Sequence, residues 1–445
     1  MAPEFRPLEC ATDPGLMREF FAAHLERLVP GAESVESCRV PRVFPRNDDS
    51  YIVQYELQLR SGDGGGSTRT ILCGLSCSAR DGAYRAEAAG YDPRHCVSHP
   101  DIGLTVPIFP FDPGLPALAD LWDSARTPGL LARLASTPSG LASDPAAVTR
   151  TVLGYRLGRR CTLALSGSSH AAGDCSFELV AKVAPPQKIA RVMETVARLE
   201  RAGWSSTRAD GMTIPAQLGT DATIGVILME RAPGVSLHEL LGQADFLPAC
   251  AAAGRLLRRL HDLKGSWVTS KAHTGAAELA DLAVWTRRLC TIFPSCASLV
   301  EEVHDMLGAH AVPGPKRAEV GPIHRDFYDK QVLYTKGRTT LLDFDNMSPG
   351  DRAQDVGNFL AHLELRRMQQ AESGPAIAAA KAAFIDAYGQ CDERFSGRVM
   401  WWQAATFLRL ACLYALRPRW RHLTPELTDL CRRHLDAATP ALIKE

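Results

Sequence analysis

The chemistry-bearing stretch of this chain runs from Gly321 to Leu360 and reads GPIHRDFYDKQVLYTKGRTTLLDFDNMSPGDRAQDVGNFL. It sets His324 and a series of carboxylates around two short apolar runs, Gln331 to Tyr334 and Thr339 to Leu342, each ending at a turn. Two such runs predict a hairpin that returns Asp343 to the side of Gln331. A hard divalent cation such as magnesium takes carboxylate and amide oxygens together with substrate phosphates. Asp343 and Gln331 are therefore candidate metal ligands, and Asp326, in the loop opened by His324, is left to orient a nucleophile. Any one of these residues alone also fits an acidic hairpin on a solvated surface. Their joint spacing argues for a site.

The elements upstream supply further candidates. From Val152 the chain reads VLGYRLGRRCTLAL, SGSSHAAGDC and SFELVAKVA, which predicts three consecutive strands with turns at Leu157 to Arg160 and Ser166 to Asp174. Lys182 falls inside the third strand, where a lysine needs an anionic partner or a route to solvent. The plain alternative is an edge-strand lysine facing water. Lys188 to Ala202 has apolar residues at three- and four-residue steps and predicts an amphipathic helix. Glu194 near its middle is a candidate partner for Lys182, with Glu200 the other choice. Ile224 to Gly234, IGVILMERAPG, predicts a strand running into a polar turn.

These residues resemble the catalytic core of the aminoglycoside phosphotransferase and choline kinase group, a branch of the protein-kinase-like fold. The resemblance covers residues Thr149 to Leu435. It implies that His324, Arg325 and Asp326 open a catalytic loop, with Asp326 activating the acceptor hydroxyl and Arg325 a candidate for stabilising charge. It implies that Asp343 is the principal Mg2+ ligand, and that Gln331 stands where the family usually has a metal-binding asparagine. That exchange keeps the amide oxygen and lengthens its arm by a methylene. Asp355 resembles the acidic residue that braces the catalytic loop from the next helix. Lys182, supported by Glu194, takes the place of the lysine on the nucleotide phosphates, and Met229, Glu230 and Ala232 that of the hinge that binds adenine.

The fold so implied is α+β, a bilobal protein-kinase-like fold with an additional N-terminal hairpin-containing region. Its expected domains are an α+β extension or cap over 1–148, a nucleotide-binding small lobe and hinge over 149–232, and a mainly helical catalytic and acceptor-binding lobe over 233–445. The implied reaction moves the γ-phosphoryl group of ATP to a hydroxyl of a small molecule, with an aminoglycoside, a sugar, an amino sugar or a choline-like alcohol as acceptor. The alternatives are a nucleotide-binding pseudokinase and a protein-interaction scaffold. Only a short polar turn separates Asp343 from Asp355, which leaves no activation segment and disfavours protein substrates. His362, Glu364, Arg366 and Trp401 follow the catalytic stretch and are candidates for lining its mouth.

Composition sets the outer limits. With 50 basic and 50 acidic residues the formal net charge is zero, so there is no electrostatic case for nucleic acid or an anionic membrane. The 13 cysteines are spread from Cys10 to Cys431 without paired metal-ligand spacing, which favours reduced thiols in a cytoplasmic protein over a zinc site. Met1 to Phe20 lacks an apolar core, and no later run is long enough to span a bilayer.

Ahead of the resemblance, Asp13 to Leu28 predicts a helix. Tyr51 to Leu59 and Thr70 to Leu75 predict two strands joined across Gly64 to Gly66, a linker and not a phosphate loop. Tyr91 to Phe111 predicts irregular structure, and Leu115 to Trp122 a short helix. YIVQYELQL and TILCGLS faintly echo GRRCTLAL and FELVAKV, with Gly74 falling opposite Lys182. A degenerate duplicate and an unrelated hairpin both fit that echo. Later helices are expected within Leu237 to Leu263 and over Ala277 to Leu289, Asp355 to Gln369, Ala376 to Tyr388, Trp401 to Leu416 and Leu427 to Leu435.

Overall fold

The computed structural model describes residues 6–47, 50–61, 67–77, 90–134, 148–169, 175–263, 272–292, 294–310, 320–389 and 392–443. The protein is α+β. It divides into two compact units, one of Met1–Arg191, Ala216–Arg231 and Leu416–Arg421, the other of Val192–Pro215, Ala232–Ala415 and His422–Glu445.

The first unit opens with α1 (Arg6–Ala11), α2 (Pro14–Ala23) and α3 (Leu25–Leu28). The helix expected over Asp13 to Leu28 is interrupted at His24. Asp13 caps α2, its carboxylate accepting the Leu16 amide at 2.8 Å. Strands β1 (Ala32–Asn47), β2 (Ser50–Ser61), β3 (Ser67–Cys77), β4 (Cys96–His99) and β5 (Leu104–Pro107) form a five-stranded sheet of order β1-β2-β3-β5-β4. The Gly64 to Gly66 linker lies outside the described residues. Residues 91–111 are not irregular as expected. Their Pro, His and Asp content hides two four-residue strands that pair with each other and with β3, because tertiary pairing overrides weak strand propensity. Helices α4 (Ala117–Trp122) and α5 (Thr127–Leu134) follow.

The second sheet of this unit has β6 (Thr149–Arg156), β7 (Arg160–Ser169), β8 (Cys175–Val183), β10 (Gln217–Asp221) and β11 (Val226–Glu230), in the order β6-β7-β8-β11-β10. Helix α6 (Pro186–Arg201) follows β8, and β9 (Met212–Thr213) belongs to the second unit. One buried cluster joins the two sheets across the expected 148/149 boundary. Ile71, Cys73 and Leu75 meet Leu163, Leu165, Leu179, Ala181, Val183 and Leu228 in it. Because side chains alternate along a strand, Leu179, Ala181 and Val183 face this core and Lys182 faces the other way.

Both sheets place their strands in the order first, second, third, fifth, fourth. In each, the loop before the last strand ends in a left-handed glycine, Gly103 (φ 58°) or Gly225 (φ 75°), whose carbonyl accepts the amide of Cys77 or Ala184 at 3.0 Å. That match sets Cys77 against Ala184 and therefore Leu75, not Gly74, at the position of Lys182. The echo in the sequence is off by one residue. Gly74 has its own reason to be glycine, since a Cβ there would stand 2.7 Å from Leu104 Cδ1 and 3.2 Å from Tyr55 Cε2.

The second unit carries β12 (Val235–Ser236), α7 (Phe246–His261), α8 (Gly275–Ile292), α9 (Ala297–Ala309), β13 (Val320–Ile323), β14 (Val332–Thr335), β15 (Arg338–Leu341) and β16 (Ser348–Asp351). It closes with α10 (Ala353–Gln369), α11 (Gly374–Tyr388), α12 (Glu393–Ala415) and α13 (Thr424–Ile443). Its sheets have the orders β12-β14-β15-β9 and β13-β16. Within Leu237 to Leu263 only α7 is helical, and α9 was not foreseen. The helical core gathers Phe327, Phe359 and Phe384, the last two stacked at 4.1 Å. Among the described residues no helix is long and apolar enough to cross a membrane, and Cys38, Cys73, Cys77, Cys96 and Cys161 of the first unit are free thiols. Burial pushes the Cys38 and Cys73 thiols up to about 12, so they act as packing residues.

Candidate active site

Residues 324–331 form the loop between β13 and β14. The hairpin β14–β15 pairs Thr335 with Arg338 and turns at Gly337 (φ 81°). It brings Leu342 back to the loop, its amide donating to the Gln331 carbonyl at 2.9 Å. Asp343 is the next residue. Arg325 (φ 66°) and Asp343 (φ 61°) are the non-glycine residues with left-handed backbone among the described residues. Each such conformation costs roughly 1–2 kcal/mol and persists only where neighbours hold it.

What holds them starts at Asp355. Its carboxylate, fully buried, accepts the amide of His324 at 2.6 Å and that of Arg325 at 2.8 Å. His261, also buried, reaches the same carboxylate at 3.1 Å and the Tyr388 hydroxyl at 2.9 Å. The His324 ring lies 2.8 Å from the Leu342 carbonyl through Nε2. A carbonyl only accepts, so Nε2 carries the proton. The segment before Asp326 and the strand end before Asp343 are thereby tied to each other. Gln331 turns its side-chain nitrogen to Asp326 Oδ2 at 3.5 Å.

One face of α10 meets the loop residue by residue. Asp355 takes the amides of residues 324 and 325, Asn358 donates to the Phe327 carbonyl at 2.9 Å, His362 stacks on Tyr328 at 4.5 Å, and Arg366 grips Asp329. The spacing 355, 358, 362, 366 is a polar stripe at helical period. The stripe is present in the sequence, interleaved with the apolar set Val356, Phe359, Leu360 and Leu363 of the same helix.

Asp329 is 1% exposed. Arg366 donates to it twice, at 2.7 and 3.1 Å, and His238 lies 3.1 Å away. Burial by itself raises this carboxyl, but the Arg366 charge and the bonds from His238 and Arg366 outweigh it and hold the group well below the usual range. Beyond Asn358 a second tier follows. Arg409 donates to Asn358 Oδ1 at 2.7 Å and to Glu278 Oε1 at 2.8 Å, and His273 sits 2.9 Å from Glu278 Oε2. Burial pulls the Arg325 guanidinium below the usual arginine range, against the charges of Glu278 and Asp281.

The residues named as mouth candidates divide. Trp401 is fully buried and donates to the Leu307 carbonyl at 3.3 Å, so it is core. Arg366 is spent on Asp329, and Glu364 pairs with Lys381 and Arg367. His362 remains beside Tyr328.

In the first unit Lys182 is 7% exposed on the central strand β8, opposite Thr162 and Ile227. It is not an edge-strand lysine. Met229 and Glu230 end β11, with the Glu230 amide on the Ala216 carbonyl at 3.0 Å. The boundary between the units falls between Arg231 and Ala232. Glu194, of the second unit, is largely exposed and pairs with Arg198 one turn on.

Among the described residues no group of three or more His, Cys, Asp or Glu side chains is arranged to hold a metal. A protein cage is thus not what this site offers. The pair Asp343 and Gln331, one carboxylate and one amide on adjoining segments, fits Mg2+, which binds through one or two protein oxygens and completes its shell with phosphates and water.

The class of protein that carries such a site is a small-molecule kinase. The model of the phosphotransferase enzyme family, APH, matches residues 168–395, and the chain belongs to that family. None of the curated proteins matches the chain. Among solved structures it is similar to a choline/ethanolamine kinase family protein from Mesorhizobium loti, with 20% identity, 70% of this chain and 98% of that one covered, and a TM-score of 0.46. It is also similar to choline kinase from Cryptosporidium parvum (9%, 72% and 95%, 0.48). The amicoumacin kinase hAmiN, solved with AMP-PNP, Ca2+ and Ami, gives 16%, 71% and 94%, and 0.49.

Proposed function

We propose that the protein transfers the γ-phosphoryl group of ATP to a hydroxyl of a small molecule, in the cytoplasm, with an aminoglycoside, a sugar or an amino sugar as the acceptor class. The observation that carries this is the lock between two segments: α10 holds the loop of Asp326, and His324 holds the strand end of Asp343. Phosphoryl transfer asks the protein for positioning and charge neutralisation more than for covalent chemistry.

Asp326 orients the acceptor hydroxyl and takes its proton as that oxygen bonds to the γ-phosphorus and the bond to the ADP oxygen breaks. Lys182 contacts the proximal phosphates, and Met229, Glu230 and Ala232 bind the adenine. Arg325 supplies positive charge to the loop. Asp343 and Gln331 would hold Mg2+, which would supply positive charge to the phosphate oxygens. Asp355 positions the loop and touches no substrate. The connection from Asp343 to Asp355 holds only a turn and the four-residue β16, which supports a small acceptor over a protein.

The test is Mg2+-dependent binding of ATP by calorimetry, then transfer of labelled phosphate to a panel of aminoglycosides, sugars, amino sugars and choline-like alcohols. Transfer to one of them, lost in Asp326→Asn with nucleotide binding retained, is expected. Nucleotide binding without turnover on any acceptor overturns the enzyme reading, and no nucleotide binding overturns the whole assignment.

A further inference from the structure

The loop of Asp326 is held by two elements of the second unit, and only helix α10 has so far been given a part in the proposed reaction. The other is the chain that starts the unit at Ala232. Gly234 (φ 105°) lets this chain run against β14, since a Cβ there would stand 2.6 Å from the Tyr334 carbonyl oxygen. Val235 and Ser236 then pair with Tyr334 and Leu333 as β12, and the Leu237 amide donates to the Val332 carbonyl at 3.1 Å. Glu239 closes the turn that follows, its carboxylate accepting the Ser236 amide at 2.9 Å and the Ser236 hydroxyl at 2.6 Å.

Those bonds fix β14, which lies beyond the loop, whereas His238 reaches the loop itself. Its amide donates to the Asp329 carbonyl at 3.2 Å, and its Nδ1 lies 3.1 Å from Asp329 Oδ2. An ionised carboxylate only accepts, so Nδ1 carries the proton. Arg366 of α10 donates to the same Oδ2 at 2.7 Å and to Oδ1 at 3.1 Å. One carboxylate, three residues after Asp326, is thus where the turn and α10 meet. The two grips are not equivalent, since the His238 side chain is 31% exposed and that of Arg366 only 7%. Arg366 already satisfies the buried charge, so taking the imidazole away strands no unpaired carboxylate. What His238 adds is a second direction of restraint, joining the loop to β12 as well as to the helix.

We propose that His238 is a positioning residue for phosphoryl transfer. Through Asp329 it ties the turn after β12 to the loop, and so fixes where the Asp326 carboxylate stands relative to the chain leaving Ala232. The inference rests on the phosphotransferase reading, in which Ala232 belongs to the adenine contacts and Asp326 orients the acceptor hydroxyl. In-line transfer tolerates little displacement, and a misplacement of about 1 Å costs on the order of a hundredfold in rate. The tie therefore acts on the transfer step and leaves nucleotide affinity to Lys182, Met229, Glu230 and Ala232.

The test compares the full chain as wild type, His238→Leu and His238→Asn. Leucine removes the donor, whereas asparagine sets an amide nitrogen close to the place of Nδ1. His238→Leu is expected to lose kcat by about ten- to a hundredfold, with calorimetric affinity for Mg-ATP within about twofold of wild type and a thermal midpoint within about 3 °C of it. His238→Asn is expected to recover kcat to within about threefold of wild type. Hydrogen exchange over residues 324–331 needs no acceptor, and should be about tenfold faster in His238→Leu and near wild type in His238→Asn. A wild-type kcat in His238→Leu, equal loop exchange in all three proteins, or an asparagine variant as impaired as the leucine one overturns the inference. So does a fall in kcat matched by losses of ATP affinity and thermal midpoint, which makes His238 structural only. Normal turnover of wild type alongside any of these results leaves the phosphotransferase reading intact. Absence of turnover by wild type on every acceptor overturns that reading instead, while the exchange comparison still shows whether His238 orders the loop.

Discussion

His324 and Leu342, 18 residues apart, meet through a 2.8 Å bond from the buried imidazole to a backbone carbonyl. The bond joins the segment leading to Asp326 with the strand end leading to Asp343. In His324→Ala the carbonyl loses its donor and Asp343 loses one restraint on its left-handed backbone. Loss of a buried hydrogen bond costs about 1–3 kcal/mol. We expect kcat to fall roughly ten- to a hundredfold, with a smaller relative change in the thermal midpoint. A kcat within twofold of wild type would show that the tie is not needed.

Asp343→Asn separates the charge of Asp343 from its backbone. Asparagine tolerates a positive φ about as well as aspartate, so the fold should keep its thermal midpoint. Mg2+-dependent phosphoryl transfer should drop by about a thousandfold, as for removal of a principal charge in such a site. Retained activity at low Mg2+ would remove Asp343 from the metal.

Arg366→Met leaves Asp329 buried without its bidentate partner. Breaking a buried pair on one side costs about 3–5 kcal/mol, readable by chemical denaturation. The pH dependence has a defined sign. The folded pKa of Asp329 lies below its unfolded value, so its contribution is complete above about pH 4 and is lost as pH falls through the folded value. The stability gap between wild type and variant is therefore widest near neutrality and narrows below about pH 4. A gap independent of pH would contradict the pairing as the source.

Lys182→Met removes a nearly buried charge from the central strand and keeps its length. Stability should hold or rise slightly, because methionine needs no partner there. The Michaelis constant for ATP should rise, or kcat fall, by about a hundredfold or more. Wild-type kinetics in this variant would return Lys182 to a structural role.

Deletion of residues 1–148 exposes Leu163, Leu165, Leu179, Val183 and Leu228, all at most 5% exposed in the intact first unit. At about 1.5–3 kcal/mol each the loss is roughly 7–15 kcal/mol, as large as the stability of a whole domain. The truncated chain is expected to be insoluble or to bind hydrophobic dyes strongly. A soluble, cooperatively melting fragment would show that the two sheets are independent.

The loop 324–331 and its hairpin were legible because their signals are local. A histidine, an aspartate two residues on, an amide at 331 and a carboxylate after the second apolar run all sit within twenty residues. Lys182 stood out for a similar reason, as a charge inside a strand pattern. The polar stripe of α10 at 355, 358, 362 and 366 is equally local, but it is interleaved with the apolar set Val356, Phe359, Leu360 and Leu363, and its partners lie on another segment. Residues 91–111 and the off-by-one echo at Gly74 were beyond local pattern. Strands of four residues carry too little periodicity, and the match between the sheets rests on hydrogen bonds from β3 to Gly103 and from β8 to Gly225.

By itself, then, the sequence determined which side chains have chemistry to offer, and that strands precede helices around them, because residue type and period are properties of neighbours along the chain. The tertiary structure decided what each group meets. It set His261 against Asp355 across 94 residues, Arg366 against Asp329, and Leu75 and Leu163 in one core. Burial, hydrogen-bond partners and the shift of a carboxyl arise from contacts between distant segments, and only the folded chain brings those segments together.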